Sequence, residues 1–505
     1  MGLTQRKEGL STSSVKPVSL SKSPGVPTNN DFSWKVRQIL KATGGRLYGG
    51  TKEVEFKGIS IDSRTLKKGD LFLALAGDNF DGHDFIEEAL SSGAAGLVLS
   101  KLRRSDIEVP VIKVADTLTA LGQLAAYRRQ LMPDLGVVAL TGSSGKTTVK
   151  EVCSHILMEE FQVLKTEGNF NNLVGLPLTL LKLDKCHELA VLEMGMNHSG
   201  EIRKMTGIAD PDIACIHNIQ EAHLAGFGTI EGVGSAKEEL FEGCSATARF
   251  CINLDDERVR SIARKYPQRQ VSYGRHRKAE VRAKHVRNLG EEGMAFTLHI
   301  GGEKRRVHLK FLGEHSISNA LAAAAIAYVA GLRIDQIAIR LGQCLPFFRR
   351  FQLERVRGLR IANDCYNANP SSMFAALDTL YFLKADRKSV AVLGDMMELG
   401  GATEHAHLRL GEKVACLGFD FLIAVGDFSG KTVQGALNGG MSMKQVCFTD
   451  SSGEALARLI NLYRTGEIAA GDWILVKGSR GMKMETIVEG FQEQLTAALG
   501  ITNYE

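Results

Sequence analysis

The chain has 505 residues, 44% hydrophobic and 24% charged, the ordinary make-up of a soluble globular protein of about three domains, which excludes a collagen-like, wholly disordered or membrane-embedded chain. Its 62 basic and 57 acidic residues leave a net charge of +5 spread over the whole length with no long Lys/Arg run, so no dedicated nucleic-acid binder is indicated. Nine scattered cysteines form no C-x-x-C pair, which points to reduced thiols, and no apolar run reaches the roughly 18 residues of a membrane helix.

The elements follow in chain order. Residues 1–30 carry Ser11, Ser13, Ser14, Ser19, Ser21 and Ser23 among Pro17, Pro24 and Pro27, with almost no large apolar side chains. A segment that buries so little surface is expected to be a disordered tail, and it lacks the apolar run of a secretory signal. From 31 to 134 short strands and helices alternate: 71–75 and 96–99 are apolar runs of strand length, and 84–92 has helical spacing closed by Gly93. Residues 135–345 open on the apolar run 136–141 and turn through glycine and serine into a helix over 146–160. Strands follow at 189–193, 213–218 and 250–253, and this alternation predicts a parallel sheet with helices on both faces. Residues 320–332, alanine-rich and closed by Arg333, read as a packed helix. From 346 to 505 a second α/β unit has strands at 359–364, 389–394, 421–425 and 473–476.

The most informative stretch is Thr141, Gly142, Ser143, Ser144, Gly145, Lys146, Thr147 and Thr148, between a buried strand and a helix start. The glycines let backbone N–H groups converge on phosphate oxygens, and the helix N-terminus adds the positive end of its dipole. Lys146 can reach the terminal phosphates and the Thr147 hydroxyl can ligate Mg²⁺. Only Ser143 and Ser144 separate Gly142 from Gly145, a shortened loop typical of one set of ATP-dependent ligases. Glu193 stands at the carboxyl end of a strand, where open α/β sheets place their sites, so its carboxylate can hold Mg²⁺; a helix cap or a surface acid is the alternative. His223 lies just beyond another strand, although a lone histidine is more often structural. Lys237 opens the run Lys237-Glu238-Glu239-Leu240; as an ammonium it repels a cation, and only carbamylation would make it an oxygen donor. In the last part three polar turns follow strands: 364–370, with Asp364, Tyr366, Asn367, Asn369 and Pro370, then 394–400 and 477–481.

In order and spacing these pieces resemble the Mur ligases, from about residue 32 to about residue 489. The resemblance runs through Asp62-Ser63-Arg64 and Asp81-Gly82-His83, then the short P-loop, Asn169-Phe170-Asn171-Asn172, Glu193-Met194-Gly195, His217-Asn218, Ala222-His223-Leu224, Lys237 and Asn319. It closes with Tyr366-Asn367-Ala368-Asn369-Pro370, Gly394-Asp395-Met396, Glu398-Leu399-Gly400, His407 and Lys477-Gly478-Ser479-Arg480. The fold it implies is α/β in three domains: a small N-terminal domain at 31–134 binding the UDP end of the substrate, a central parallel-sheet P-loop domain at 135–345 binding ATP, and a Rossmann-like C-terminal domain at 346–505 receiving a dipeptide. The activity it implies is that of the members that join D-alanyl-D-alanine to UDP-N-acetylmuramoyl-tripeptide with ATP and Mg²⁺, through an acyl phosphate, to make the pentapeptide precursor of peptidoglycan.

By the same resemblance Lys146, His223 and Lys237 are catalytic. The loop Thr141 to Thr148, Asn319, Arg350, Asp364 and Tyr366 bind ATP. Asp62, Ser63, Arg64, Asn171, Asn172, Asn367 and Asn369 bind substrate, with the last two on the dipeptide. Thr147, Glu193, His223 and carbamylated Lys237 hold metal. A cytoplasmic monomer with no nucleic-acid partner and no membrane span is expected. Two departures stand out: Arg349-Arg350 replaces the family's Gly-Arg, leaving open which arginine meets the nucleotide, and Asn363 replaces a common acid. Three alternatives are weaker. The preceding Mur ligase, which adds the third amino acid, resembles Tyr-Ala-His where this chain has Asn-Ala-Asn-Pro at 367–370. Folylpolyglutamate synthase lacks the N-terminal unit. A non-catalytic P-loop nucleotide binder has no need of Lys146, Glu193, His223 and Lys237 together. The third residue of the tripeptide is not fixed by any of these residues.

Overall fold

A computed structural model describes residues 32–77, 80–102 and 107–497; the tail expected over 1–30 lies outside them. Among the described residues the three α/β units are built on sheets of five, nine and six strands, with a further two-stranded pair, Trp34–Lys35 and Glu55–Phe56, beside the first.

The five-stranded sheet runs Arg46–Tyr48, Val111–Lys113, Gly96–Leu99, Leu71–Leu73, Ile59–Ser60, parallel except for its first pair. The apolar run at 71–75 pairs only as far as Leu73. The helical spacing over 84–92 divides into a 3₁₀ turn, Gly82–Phe85, and a helix, Ile86–Ser91. The break follows from Asp81, whose Oδ1 accepts the His83 N–H at 3.0 Å and lies 2.6 Å from His83 Nδ1. Buried His83 then accepts the Ser100 N–H at 3.0 Å, tying the turn to the next strand.

The nine-stranded sheet carries Gly136–Thr141 between Ile213–Ile216 and Leu189–Glu193, all parallel, with Val163–Lys165 at one edge. Every residue of Gly136–Thr141 is buried, because helices cover both faces. On one face lies the Ala-rich helix His315–Val329 packed against Lys146–Leu157; on the other lie Glu201–Ala209, Ile230–Glu242 and Glu257–Ala263. The helix after the P-loop ends at Leu157 rather than at 160.

The sheet is not parallel throughout. Beyond Arg269–Gly274, strands Val281–Asn288, Met294–Ile300 and Glu303–Leu309 form an antiparallel meander at the far flank. Short turns at 289–293 and 301–302 leave no length for a crossover helix. Met294, Phe296, Leu298 and Ile300 are buried and the residues between them half-buried, the alternation of a sheet wet on one side. The sequence reading, tuned to continuous apolar runs, passed over these strands.

The six-stranded sheet is ordered Gln352–Val356, Leu359–Asp364, Trp473–Lys477, Ser389–Gly394, Phe421–Val425, Val446–Thr449, parallel after an antiparallel first pair. Among the described residues, polar contacts join it to the central unit at several places. Glu291, at the turn of the meander, takes Arg355 at 2.5 Å and Arg360 at 2.6 Å. His223 Nδ1 lies 2.6 Å from Glu398 Oε2, while the Glu398 carbonyl accepts the Ala225 N–H at 3.0 Å. Arg409 lies 3.4 Å from Glu221, and Asn369 Nδ2 donates to the Ser143 carbonyl at 3.3 Å.

Candidate active site

The carboxyl ends of the central and C-terminal strands open on one cleft of about 1090 Å³. The P-loop forms its floor. Gly145 caps the helix Lys146–Leu157 at φ +76°, a left-handed conformation that glycine adopts without strain. A Cβ there would stand 2.5 Å from Asn319 Oδ1, so the close approach also demands glycine. The loop is shaped from behind by the segment after Ile213–Ile216. Asn218 Oδ1 accepts the N–H groups of Ser143 at 2.9 Å and Ser144 at 3.0 Å. Ser143 Oγ donates to the Gln220 carbonyl at 3.0 Å, and Ser144 Oγ to Gln220 Oε1 at 2.8 Å.

Behind Asn319 runs a buried polar chain. His217 Nε2 lies 2.9 Å from Asn319 Oδ1 and His217 Nδ1 lies 2.9 Å from the Tyr273 hydroxyl. Because an amide oxygen only accepts, Nε2 carries the proton and Nδ1 accepts from tyrosine. Burial holds the imidazole neutral, with its pKa lowered to about 4, despite the opposing bond to Asn319. The bonded Asn319 oxygen leaves its NH₂ as the half of the amide free to meet a ligand.

Lys146 folds back to donate to the Gly142 carbonyl at 2.8 Å. Withdrawal from water lowers its pKa; Glu193 and Glu398 oppose that shift and Arg350 adds to it, so these four charges share one neighbourhood. Glu193 is 1% exposed. Its Oε1 accepts from Asn171 Nδ2 at 2.8 Å, its N–H is held by Thr166 Oγ1 at 3.0 Å, and its Oε2 is buried without a hydrogen-bond partner.

An orphaned carboxylate oxygen aimed beside a phosphate loop fits a hard cation. Among the described residues no three His, Cys, Asp or Glu side chains gather into a metal cage. Mg²⁺ needs none, since it is held by one or two carboxylates together with substrate phosphates. Glu193 and Thr147, both on the cleft wall, would supply oxygens to such an ion. His223, also on the wall, adopts φ +56° and faces Glu398, whose carboxyl that contact holds below its usual value. Lys237 is 1% exposed and stands behind the wall. It has no ion-pair or hydrogen-bond partner among the described residues, and burial, with the Lys146 charge added, drives its pKa well down.

On the opposite wall Asp364 binds Lys477 at 2.6 Å and accepts the Phe351 N–H at 3.1 Å. Lys477 Nζ also donates to the Asn367 carbonyl at 2.8 Å. Asn369 caps the helix Pro370–Lys384: its Oδ1 accepts the Ser372 N–H at 2.9 Å, while its Nδ2 reaches Ser143. The two arginines separate cleanly. Both line the cleft, but Arg349 is claimed by Glu485 at 2.8 Å and Glu489 at 2.7 Å, whereas Arg350 lies over the Tyr366 ring at 4.0 Å.

Most of the residues singled out in the sequence meet in this cleft, but several are engaged locally. Asn171 orients Glu193, and Asn172 Oδ1 accepts from Val174 N at 3.1 Å and Gly175 N at 2.8 Å, starting the helix Gly175–Leu181. Thr141 is fully buried in its strand. Asp62 and Arg64 pair with each other at 2.9 and 2.7 Å, which holds the Asp62 carboxyl down to about 2; with Ser63 they lie off the walls of this cleft. The sequence reading missed Asn218, Gln220 and Glu398 as site residues. Asn218 and Glu398 stood in its matched motifs, but only their distances give them work.

Three family models match the chain: "Mur ligase family, catalytic domain" at residues 55–129, "Mur ligase middle domain" at 140–327 and "Mur ligase, glutamate ligase domain" at 349–480. The UDP-N-acetylmuramoyl-tripeptide–D-alanyl-D-alanine ligase of Escherichia coli (strain K12) is 36% identical over 469 residues, covering 92% of this chain and 100% of that protein. The crystal structure of MurF from Acinetobacter baumannii superposes with a TM-score of 0.84 at 35% identity, covering 92% of this chain and 99% of that one. MurF ligase from Thermotoga maritima in complex with ADP superposes with a TM-score of 0.77 at 27% identity, covering 87% of this chain and 98% of that one.

Proposed function

The chain belongs to the Mur ligase family, and from that premise we propose how its own residues carry out the ligation. It is an ATP-dependent ligase that joins D-alanyl-D-alanine to UDP-N-acetylmuramoyl-tripeptide through an acyl phosphate, forming the UDP-N-acetylmuramoyl-pentapeptide of peptidoglycan synthesis. The observation that carries our assignment of roles is the single cleft that sets the P-loop, Glu193 and His223 against Tyr366, Asn367 and Lys477.

The tripeptide carboxylate must approach the γ-phosphate of ATP, anion against anion. Lys146, Arg350 and the P-loop N–H groups lower that repulsion by offering fixed positive charge and dipoles. Asn319 presents its NH₂ to the adenine, and Arg350, over the Tyr366 ring, guards the nucleotide side. Mg²⁺ would be held by Thr147 and Glu193 at one position and by His223 and carbamylated Lys237 at a second; bound there, it supplies Lewis-acid charge at the phosphate oxygens. Lys237 suits carbamylation because burial lowers its pKa and so favours the neutral amine, the form that attacks CO₂ and releases a proton. Asn367 and Lys477 line the side from which the dipeptide amine attacks the acyl carbon and phosphate leaves.

In this reading 31–134 holds the UDP end, and Asp62, Ser63, Arg64, Asn171 and Asn172 bind the substrate. Residues 135–345 hold ATP, and 346–505 bring the dipeptide on Asn367 and Asn369. No helix of the described residues is long and apolar enough to cross a membrane. We place the enzyme in the cytoplasm as a monomer, which size-exclusion with light scattering tests. The function is tested by phosphate release from ATP and Mg²⁺ with UDP-N-acetylmuramoyl-tripeptide. Release that requires D-alanyl-D-alanine and matches pentapeptide formation supports it. Turnover only with the dipeptide precursor and a free diamino acid overturns it.

A further inference from the structure

The antiparallel flank of the central sheet presents a face that the ligation does not use. Arg282, Lys284 and Arg287 point outward from Val281–Asn288, and Lys304 and Arg306 from Glu303–Leu309. Between them Met294–Ile300 contributes Ala295, Thr297 and His299. No acidic side chain stands at these outward positions, and among the described residues none of the five cations is in an ion pair. The crowding registers on His299, whose pKa is lowered by burial and then by Lys284, Arg282, Lys304 and His285.

Local geometry spends strain to build this face. Lys284 and Arg287 are three residues apart, so a regular strand would turn them to opposite sides. A bulge intervenes, with a register shift between Lys284 and Arg287 and His285 held at φ +51°, and it returns Arg287 to the outward side. Cations on an edge strand also discourage sheet-to-sheet aggregation, which accounts for Lys304 and Arg306. It does not account for three more on the strand two places in. The helices Glu201–Ala209, Ile230–Glu242 and Glu257–Ala263 cover the parallel half of this same side and stop short of the meander.

We propose that this five-cation face docks the enzyme reversibly on an anionic phospholipid surface. It carries no Phe, Tyr or Trp ring on which bases could stack, no helix to enter a groove, and no large apolar anchor for a protein partner. What remains is positive charge spread over a sheet surface, complementary to a plane of mobile anionic headgroups. Val281–Asn288 lies four strand spacings from Gly136–Thr141, roughly 19 Å at about 4.8 Å each, and no residue of the face lines the cleft, so a docked enzyme keeps its site open.

Vesicle co-sedimentation of the full chain tests this, with phosphatidylcholine alone and with about one-third phosphatidylglycerol. Binding is expected only to the anionic vesicles, reversed by raising salt to about 0.5 M. The double variant Lys284→Thr with Arg306→Thr keeps strand-forming residues and should bind about 25-fold more weakly, from about fivefold per cation removed. Its kcat, KM and melting temperature should be unchanged. Three outcomes overturn the proposal: no binding of the parent chain at low salt, undiminished binding of the double variant, or single-stranded RNA that displaces the vesicles and itself depends on Lys284 and Arg306.

Discussion

Asn218 and His217, adjacent residues, do different work at the P-loop. Asn218 gathers the Ser143 and Ser144 N–H groups on one oxygen, so the loop is held before any nucleotide arrives. Asn218→Ala leaves those donors to find water and should raise the KM for ATP about tenfold, in line with about 1–3 kcal/mol for unmaking buried hydrogen bonds. An unchanged KM in steady-state kinetics would remove Asn218 from the binding argument. His217 links pH to stability. Its pKa falls from 6.5 to about 4 on folding, so its contribution is complete above pH 6.5 and drains away as pH falls through 4. The full effect is of order 3 kcal/mol. Urea midpoints of the parent should drop between pH 7 and pH 4.5 by more than those of His217→Gln; parallel curves would exclude His217 as the titrating group.

At the scale of elements, the helix Pro370–Lys384 shows how one residue serves two sheets. Asn369 caps it with Oδ1 and touches Ser143 with Nδ2. Asn369→Ala should cost about 1 kcal/mol of cap and lower the melting temperature by about 2–4 °C. Asn369→Ser keeps a capping oxygen and should hold the melting temperature while still losing the contact to Ser143. Equal losses in both variants, seen by calorimetry, would show that the cap is not what Asn369 supplies. The same element marks what the sequence made legible. Asn-Pro before an apolar run announces a helix start, and buried strands such as Gly136–Thr141 and Ser389–Gly394 are continuous apolar runs. The meander at 281–309 was illegible because its alternating residues, rich in Lys, Arg and His, look like surface. Arg349 and Arg350 could not be told apart for a different reason: Glu485 and Glu489, which capture Arg349, are more than a hundred residues away in the chain. Asp62-Ser63-Arg64 was legible as a motif, but a motif does not say which wall it faces.

For the whole molecule, the contact of His223 with Glu398 matters because the two residues belong to different units and both sit at left-handed φ, +56° and +67°. Strain at both ends of a contact is tolerated where the surroundings over-determine it. Removing the carboxylate in Glu398→Ala should let the C-terminal unit part from the central one. X-ray scattering without ligands should then give a larger radius of gyration than the parent, and kcat should fall more than the KM for ATP rises. Matching scattering curves would mean that Glu398 does not hold the units together. Another tie, Glu291 with Arg355 and Arg360, lies on the flank of the sheet, three strand positions from the strand that leads into His223. One carboxylate gripped by two guanidiniums from neighbouring strands resists separation but tolerates rotation. If the units swing apart, that grip would serve as the jamb of a door whose free edge is His223 and Glu398. When such a door swings, whatever rests on Ser143 to Thr148 stays in the room, and whatever rests on Asn367 to Ser372 leaves with the leaf. The spent nucleotide and the acceptor peptide would then have no need to depart together.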